Sequence, residues 1–352
     1  MLTVLTKHER DAVAVLPTEV HEFFASGAGD EVTVGEATDA WARFRLRPRV
    51  LRDVRTIDLT TTLLGSTFAH PVGIAPAGYQ GLAHPDAETG IAAAAHDEGA
   101  LLVASTRASV PIEDIGAAAA GPWWFQVYVM RNRDLTLGLV ERAAAAGARA
   151  LVLTGDTPFV GIKRRVAGTR ISIPDEAYLV NLARHLTGHL TGDLTAARAA
   201  AEQDPSATLD AIGWLAEVSG LPVLVKGVLR GDDAQACLEA GAAGVVVSNH
   251  GGRQLDRSLP SALALAEVVD AVAGRGPVLV DGGVRSGLDC LVALAIGASA
   301  VLIGRPVVWG LATGGQAGVA EVLAALRDDL AHVMALVGAP RLADLDRSLV
   351  VR

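Results

Sequence analysis

The chain has 352 residues, 51% of them hydrophobic and 20% charged, a composition that supplies a large apolar core and excludes a disordered or collagen-like polypeptide. Thirty basic against 39 acidic residues give a formal charge of −9, which removes the broad positive field that nucleic acid or an anionic membrane would need, so neither is expected as a partner. The two cysteines, Cys237 and Cys290, have neither metal-ligand spacing nor the number needed for a disulfide framework, and read as packing residues in a reducing cytoplasm.

In chain order, Lys7, His8, Glu9, Arg10 and Asp11 interrupt the N-terminus before a long apolar run can form, so no signal peptide is expected there. Residues 1–70 carry a helical pattern around PTEVHEFFASGAGDE and are expected to form an N-terminal cap on the rest of the domain. Eight short apolar runs then end in glycine or polar residues, at 71–78, 101–106, 124–129, 150–156, 221–227, 244–249, 276–283 and 299–305. Each reads as a parallel strand buried on both faces. Amphipathic stretches rich in alanine and leucine lie between most of them, at 86–98, 134–146, 231–240, 261–273 and 287–296. Eightfold alternation predicts an α/β fold, a (β/α)8 TIM barrel with residues 1–352 as one domain. The rival, a doubly wound open sheet, would place its glycine fingerprint after the first strand, whereas the glycines here concentrate after the seventh and eighth.

Residues 157–220 are too long for an ordinary strand-to-helix connection and are expected to form a lid over the catalytic face. His185 and His189 stand four apart within it, but no third ligand accompanies them, so no metal site is expected. The uncharged run Cys290 to Gly304 has 15 residues, short of the roughly 18 that a membrane-spanning helix needs.

The functional side chains of such a barrel stand at the C-terminal ends of its strands. The sixth run continues into Ser248, Asn249, His250 and Arg253, which puts a base and a carboxylate-binding fork on one glycine-rich turn. The fourth ends in Asp156, a partner for the histidine. Only Lys7, Lys163 and Lys226 are lysines, and Lys226 closes the apolar run LPVLVK, where its charge would be costly unless it faces an anion. Tyrosine is equally scarce: Tyr79 and Tyr128 end the first and third runs, and Tyr178 falls in the lid. Tyr128 is expected to donate a hydrogen bond to substrate. The segments VDGGVRSG (280–287) and IGRP (303–306) form turns whose amides and following helix N-termini can receive a phosphate, with Arg285 and Arg305 adding charge.

Through FFASGAGDE, RPRVLRDV, APAGYQGLAHP, FQVY, TGDTP, LVKG, SNHGGRQLD, DGGVRSG and IGRPVVW, nearly the whole chain resembles the FMN-dependent 2-hydroxy acid oxidase and dehydrogenase family. The resemblance implies FMN as cofactor and oxidation of an (S)-2-hydroxy acid to a 2-oxo acid, with oxygen or another electron acceptor reoxidising the flavin. It places the base on His250, its partner on Asp156, the carboxylate-binding arginine on Arg253 and the hydroxyl-binding tyrosine on Tyr128. Flavin contacts fall on Ala77, Gly78, Ser105, Gln126, Thr154, Lys226 and Ser248, and phosphate and ribityl contacts on Asp281, Gly282, Gly283, Arg285, Gly304 and Arg305. A homotetramer is implied as well. The chemistry agrees, since removing a proton and two electrons from a 2-hydroxy acid needs a base, a cation for the carboxylate and a cation beside the reduced flavin, which His250, Arg253 and Lys226 supply.

Three positions depart from the family pattern. Phe23 replaces a tyrosine that helps bind the carboxylate, and Lys163 replaces a second arginine, with Arg164 and Arg165 next in line to restore it. Gly78 stands where the oxidase branch has alanine, which predicts open space beside the flavin ring and a slower reaction with oxygen than with an artificial acceptor. Phe23 and Gly78 together favour a bulky or aromatic substrate. The alternatives are a related FMN barrel that oxidises an amine or a specialised hydroxy acid, and a flavin-binding barrel without activity. Retention of His250, Asp156 and Arg253 argues against the last.

Overall fold

The computed structural model describes residues 2–167, 173–182 and 194–352. Eight parallel strands form its centre: β1 (Val72–Ile74), β2 (Val103–Ala104), β3 (Trp123–Val127), β4 (Ala148–Thr154), β5 (Val223–Val228), β6 (Gly244–Val247), β7 (Val278–Asp281) and β8 (Ala300–Ile303). All eight apolar runs of the sequence become strands. Their order around the sheet is β1-β8-β7-β6-β5-β4-β3-β2, and a parallel bridge between Ile74 and Leu102 closes β2 onto β1. Alternation along each strand sorts the core into two. Trp124, Val152, Leu224, Val246, Leu279 and Leu302 fill the barrel interior, while Phe125, Leu151, Val225, Val245, Val280 and Val301 face the surrounding helices.

Helices Ala87–Asp97, Arg133–Ala145, Gly231–Glu239, Ser261–Val272 and Gly287–Ile296 match the predicted amphipathic stretches. Ile112–Ala119 and Asp210–Ser219 were not foreseen, the first because it is short and alanine-rich, the second because it lies inside the expected lid. Asp210–Ser219 packs on β5 and on the helix Arg133–Ala145, so it is the outer helix of the fourth unit. The segment that departs from the repeat therefore ends near residue 209. The last helix, Arg305–Leu336, breaks at Gly315 (φ 57°), where the Asp86 carboxylate accepts from Gln316 N at 2.9 Å and restarts it.

The N-terminal segment serves both ends of the barrel. Helix Leu2–Val15 packs along Arg305–Leu336, and helix Val32–Ala42 lies against the turn His250–Gly252 at the mouth. There Trp41 Nε1 donates to Gly282 O at 2.8 Å. At the opposite end, the hairpin of Thr61–Leu63 and Ser66–Phe68 sends Leu63 and Phe68 into the inner core.

Two ties hold the long connection after β4 to the barrel. Near its start, Gly161 N donates to Gln254 Oε1 at 2.8 Å and Gly29 N donates to Ile162 O at 2.8 Å. Near its end, Met130 and Gln203 form an antiparallel bridge. Between them, buried Asn181 donates to Val110 O at 2.9 Å and accepts from Ile112 N at 3.0 Å. Among the described residues no helix is long and apolar enough to cross a membrane, and no group of three acidic, histidine or cysteine side chains could hold a metal. His185 and His189 lie outside the described residues.

Phe68 is 4% exposed in the inner core. Its replacement by alanine is expected to lower the unfolding free energy by about 3–5 kcal/mol, read from urea denaturation; a change below about 1 kcal/mol would show that the hairpin is not part of the barrel core.

Candidate active site

One cavity of about 420 Å³ opens at the C-terminal ends of the strands, within the ordinary range for a small-molecule site. Every residue given a role from the sequence lines it except Asp156 and Ser248. Those two stand directly behind lining residues.

Asp156 lies behind His250. It follows β4, while His250 opens the turn after β6 with φ 59°, followed by Gly251 and Gly252 at 62° and 73°. Three successive left-handed residues turn the chain back sharply, a conformation glycine adopts without penalty. A Cβ on Gly252 would meet Val34 Cγ2 at 2.7 Å, so the turn also packs against the N-terminal segment. The His250 ring places Nδ1 2.9 Å from Asp156 Oδ1. Burial resists the charge on Asp156, but the His250 ring and Lys226 outweigh it and hold the carboxyl below its usual range. An ionised carboxylate only accepts, so Nδ1 carries the proton and Nε2 keeps its lone pair. Burial, with the Lys226 cation adding to it, lowers the His250 pKa below its ordinary 6.5, so the imidazole is neutral at pH 7.

Ser248 lies behind Lys226. A bulge at Gly227 (φ 105°) interrupts the pairing of β5 with β6, and re-aims the neighbouring side chain. A Cβ there would meet Asp156 Cβ at 2.5 Å. Lys226 Nζ, with its side chain 4% exposed, lies 3.2 Å from Asp281 Oδ2 and donates to Ser248 Oγ at 2.9 Å. Ser248 Oγ donates to Asp281 Oδ1 at 2.7 Å. Burial works against the ammonium, yet Asp281 and Asp156 more than compensate and raise its pKa. Beside it, Gln126 Nε2 donates to Thr154 Oγ1 at 2.9 Å and Gln126 Oε1 accepts from Thr106 N at 3.1 Å and, more weakly, from Ser105 Oγ at 3.4 Å. This chain joins the ends of β2, β3 and β4.

At the glycine-rich end the structure corrects one expectation. The helix after β7 is closed by its own capping box, in which Ser286 Oγ accepts from Asp289 N and Asp289 accepts from Ser286 N, and by the last helix, whose Asp329 Oδ2 accepts from Gly287 N. Its N-terminus is not available to an anion. The helix after β8 begins at Gly304 with no side-chain cap, and a Cβ on Gly304 would find only Ala75 Cβ, at 3.9 Å. Among the described residues, that helix offers an open N-terminus to the cavity. Burial lowers the pKa of Arg285 and, helped by Arg253 and Arg285, takes Arg305 down to about 9. Neither arginine has an ion-pair partner among the described residues.

Toward the entrance, Arg253 Nη1 donates to Phe24 O at 3.1 Å and Ser26 O at 2.8 Å, and the guanidinium lies 5.7 Å from the Phe23 ring centre. Lys163 lines the cavity with it. Arg164 and Arg165 do not, being paired with Asp30 at 2.7 Å and with Glu22 and Glu31 at 3.1 and 3.2 Å. Burial, then Arg253, brings Lys163 down to about 8. Burial raises Tyr128, with Lys226 opposing it, so the phenol stays protonated.

Sequence reasoning missed Arg107, which lines the cavity from the turn after β2; its position in the polar stretch STRAS behind an apolar run was the available signal. It also misjudged Gly78. A methyl there would meet Arg107 Cβ at 2.7 Å and Arg107 O at 3.1 Å, so the position is filled rather than open, and the argument for slow oxygen reaction loses its premise.

A neutral base, a cationic entrance and an open helix N-terminus at the mouth of a (β/α)8 barrel define an enzyme that works with a phosphate-bearing cofactor. The chain matches the FMN-dependent dehydrogenase family over residues 12–352. It is 44% identical to an L-lactate oxidase of Nostoc sp., covering 98% of this chain and 97% of that one. It is 40% identical to the glycolate oxidase of Spinacia oleracea, covering 99% and 95%. A mandelate oxidase solved with (S)-4-hydroxymandelic acid superposes with a TM-score of 0.90 at 39% identity, covering 97% of each chain. The chain belongs to the FMN-dependent dehydrogenase family. It is an FMN enzyme that oxidises 2-hydroxy acids. The residues present fit the cofactor, with Lys226 buried and cationic beside the polar Gln126 chain, and one uncapped helix with two arginines that no carboxylate pairs among the described residues, for one phosphate.

Because the space beyond Gly78 is occupied by the Arg107 backbone, Gly78→Ala is expected to cost about 1–3 kcal/mol of stability through overpacking. A variant as stable as its parent in urea denaturation would show that the Arg107 turn yields freely.

Proposed function

We propose that this enzyme oxidises an (S)-2-hydroxy acid to the 2-oxo acid with His250 as base. The observation that carries the reading is the geometry of His250, whose Nδ1 lies 2.9 Å from Asp156 Oδ1 while its ring lines the same cavity as Arg253 and Lys163. Arg253 and Lys163 hold the substrate carboxylate against the Phe23 wall, and the Tyr128 hydroxyl donates to a substrate oxygen. His250 Nε2 accepts the proton that oxidation releases, and Asp156 stabilises the imidazolium. FMN supplies the two-electron acceptor when bound, and the oxidase names of the relatives support oxygen as the final electron acceptor. Ala77, Gly78, Ser105, Gln126, Thr154, Lys226 and Ser248 would surround its ring, and Asp281, Gly282, Gly283, Arg285, Gly304 and Arg305 its ribityl phosphate. Lys226 remains charged and favours electron density on its side of the site.

The chain acts as one barrel domain, with the N-terminal segment closing both ends and Val160, Lys163, Tyr178 and Gln203 of the connection after β4 lining the cavity. Buried free Cys237 and Cys290 suit a cytoplasmic setting. Exposed Phe159, Ile162 and Leu255 form apolar surface near the mouth, which supports the homotetramer that the family resemblance implies; light scattering tests it.

His250→Ala is expected to retain FMN, because the side chain faces the reacting carbon, and to slow substrate reduction of the flavin by about 10²–10⁴-fold. Stopped-flow reduction within a few-fold of the parent would remove His250 from the mechanism. The pH profile follows from the signs. A base with a lowered pKa is neutral down to below 6.5, so kcat/KM falls only on the acid side of that value. Lys163 loses its proton near 8, so carboxylate binding weakens above it. Lys163→Arg keeps its charge and is expected to move the alkaline limb upward; an unmoved limb would assign it to another group.

A further inference from the structure

The cations of the cavity divide unevenly among the anions it receives. Arg285 and Arg305 stand at the uncapped helix, and Arg253 and Lys163 stand at the entrance where one carboxylate binds. Arg107 remains. Its backbone is fixed from both sides: Arg107 O accepts from Tyr79 N at 2.8 Å, and Arg107 N donates to Ser105 Oγ at 3.1 Å. Gly78 lets the two turns approach this closely. The side chain therefore leaves a backbone held in place by the barrel.

That side chain is half satisfied. Nη2 donates to Ala201 O at 2.5 Å, and the guanidinium lies 5.2 Å from the Tyr178 ring centre. Nη1 is buried and has no hydrogen-bond partner. No carboxylate among the described residues pairs with this arginine: Glu202, which also lines the cavity, pairs instead with Arg131 at 3.4 Å. A buried guanidinium nitrogen without an acceptor is a costly feature that an incoming anionic oxygen would relieve. Arg107 and Arg253 both bias the titration of the Tyr128 phenol, which puts two guanidinium groups within electrostatic reach of one substrate-facing hydroxyl.

We propose that Arg107 binds a second carboxylate, at the far end of the substrate from the one held by Arg253 and Lys163, so that the preferred substrates are 2-hydroxy dicarboxylic acids. The assignment rests on the reading of this cavity as a 2-hydroxy acid site. The reaction at the α-carbon is unchanged; only the recognition of the distal end differs. The competing role, a latch that holds Ala201 and Tyr178 without touching substrate, predicts no dependence on distal charge.

The test uses the FMN-loaded enzyme and anaerobic flavin reduction. The probes are (S)-malate and (S)-2-hydroxyglutarate, each with its neutral ω-amide, and (S)-2-hydroxybutyrate and (S)-2-hydroxyvalerate. For one of the two diacids, kcat/KM should exceed that of its ω-amide on the order of tenfold or more, the worth of a charge-assisted hydrogen bond. Arg107→Met should bring the ratio close to one, whereas Arg107→Lys should keep part of it, which a latch tied to guanidinium geometry would not do. As a readout without turnover, succinate and glutarate should perturb the flavin spectrum at lower concentration than butyrate and valerate, and Arg107→Met should erase the difference. Equal rates for diacids and amides in the parent, or a ratio that survives Arg107→Met, would overturn the assignment while monoacid turnover left the 2-hydroxy acid reading standing. Failure of every 2-hydroxy acid to reduce the flavin would overturn both.

Discussion

The pair of Lys226 with Asp281, 3.2 Å apart at the bottom of the mouth, is the interaction on which the rest of the site depends. A buried ammonium persists only if its partners offset the loss of water, and here Asp281, Ser248 and the more distant Asp156 do so. The charge so retained acts outward. It contributes to keeping Asp156 ionised and His250 neutral, and it opposes the rise in the Tyr128 pKa. One cation on β5 thus adds to the burial and pairing that govern the protonation of groups that follow β3, β4 and β6. The bulge at Gly227 is the backbone feature beside it, and that glycine is also where β5 comes closest to Asp156.

The strands were legible because a barrel strand is buried on both faces and writes a continuous apolar run, as in LPVLVK or GVVV, that nothing else of that length resembles. Residues immediately after those runs were legible for the same reason: once the strand is placed, His250, Asp156 and Lys226 can only be at the mouth. What escaped was determined in part by contacts between turns distant in sequence. The helix after β7 is capped locally by Ser286 and Asp289, a Ser-x-x-Asp signal that the glycines before it obscured, and Asp329, 42 residues away, completes the closure by accepting from Gly287 N. Gly78 reads as a void because its neighbour across the gap, Arg107, comes from a different turn. The helix Asp210–Ser219 was hidden by position, lying at the end of a stretch too long for the repeat.

The N-terminal segment shows the same division between local and distant causes. Its helical pattern is local and was readable, but its use at both ends of the barrel is not. Phe24 O and Ser26 O accept from Arg253 and Arg305, so two cations of the cavity are oriented by carbonyls that lie well before the first strand. Phe68, further along the same segment, closes the other end.

The two ties that fasten the long connection after β4 fix where it leaves and rejoins the barrel. Gly161 is held to Gln254 and Gln203 to Met130, so the chain enters and leaves the barrel at fixed points. Ring-closure entropy grows only slowly with length, and surface connections tolerate exchange. A segment exchanged between these points would have to keep Asn181 and Ala201, which fasten to Ile112 N and Arg107 Nη2, and Lys163 at the cavity; recombination is free only in the chain that joins those anchors.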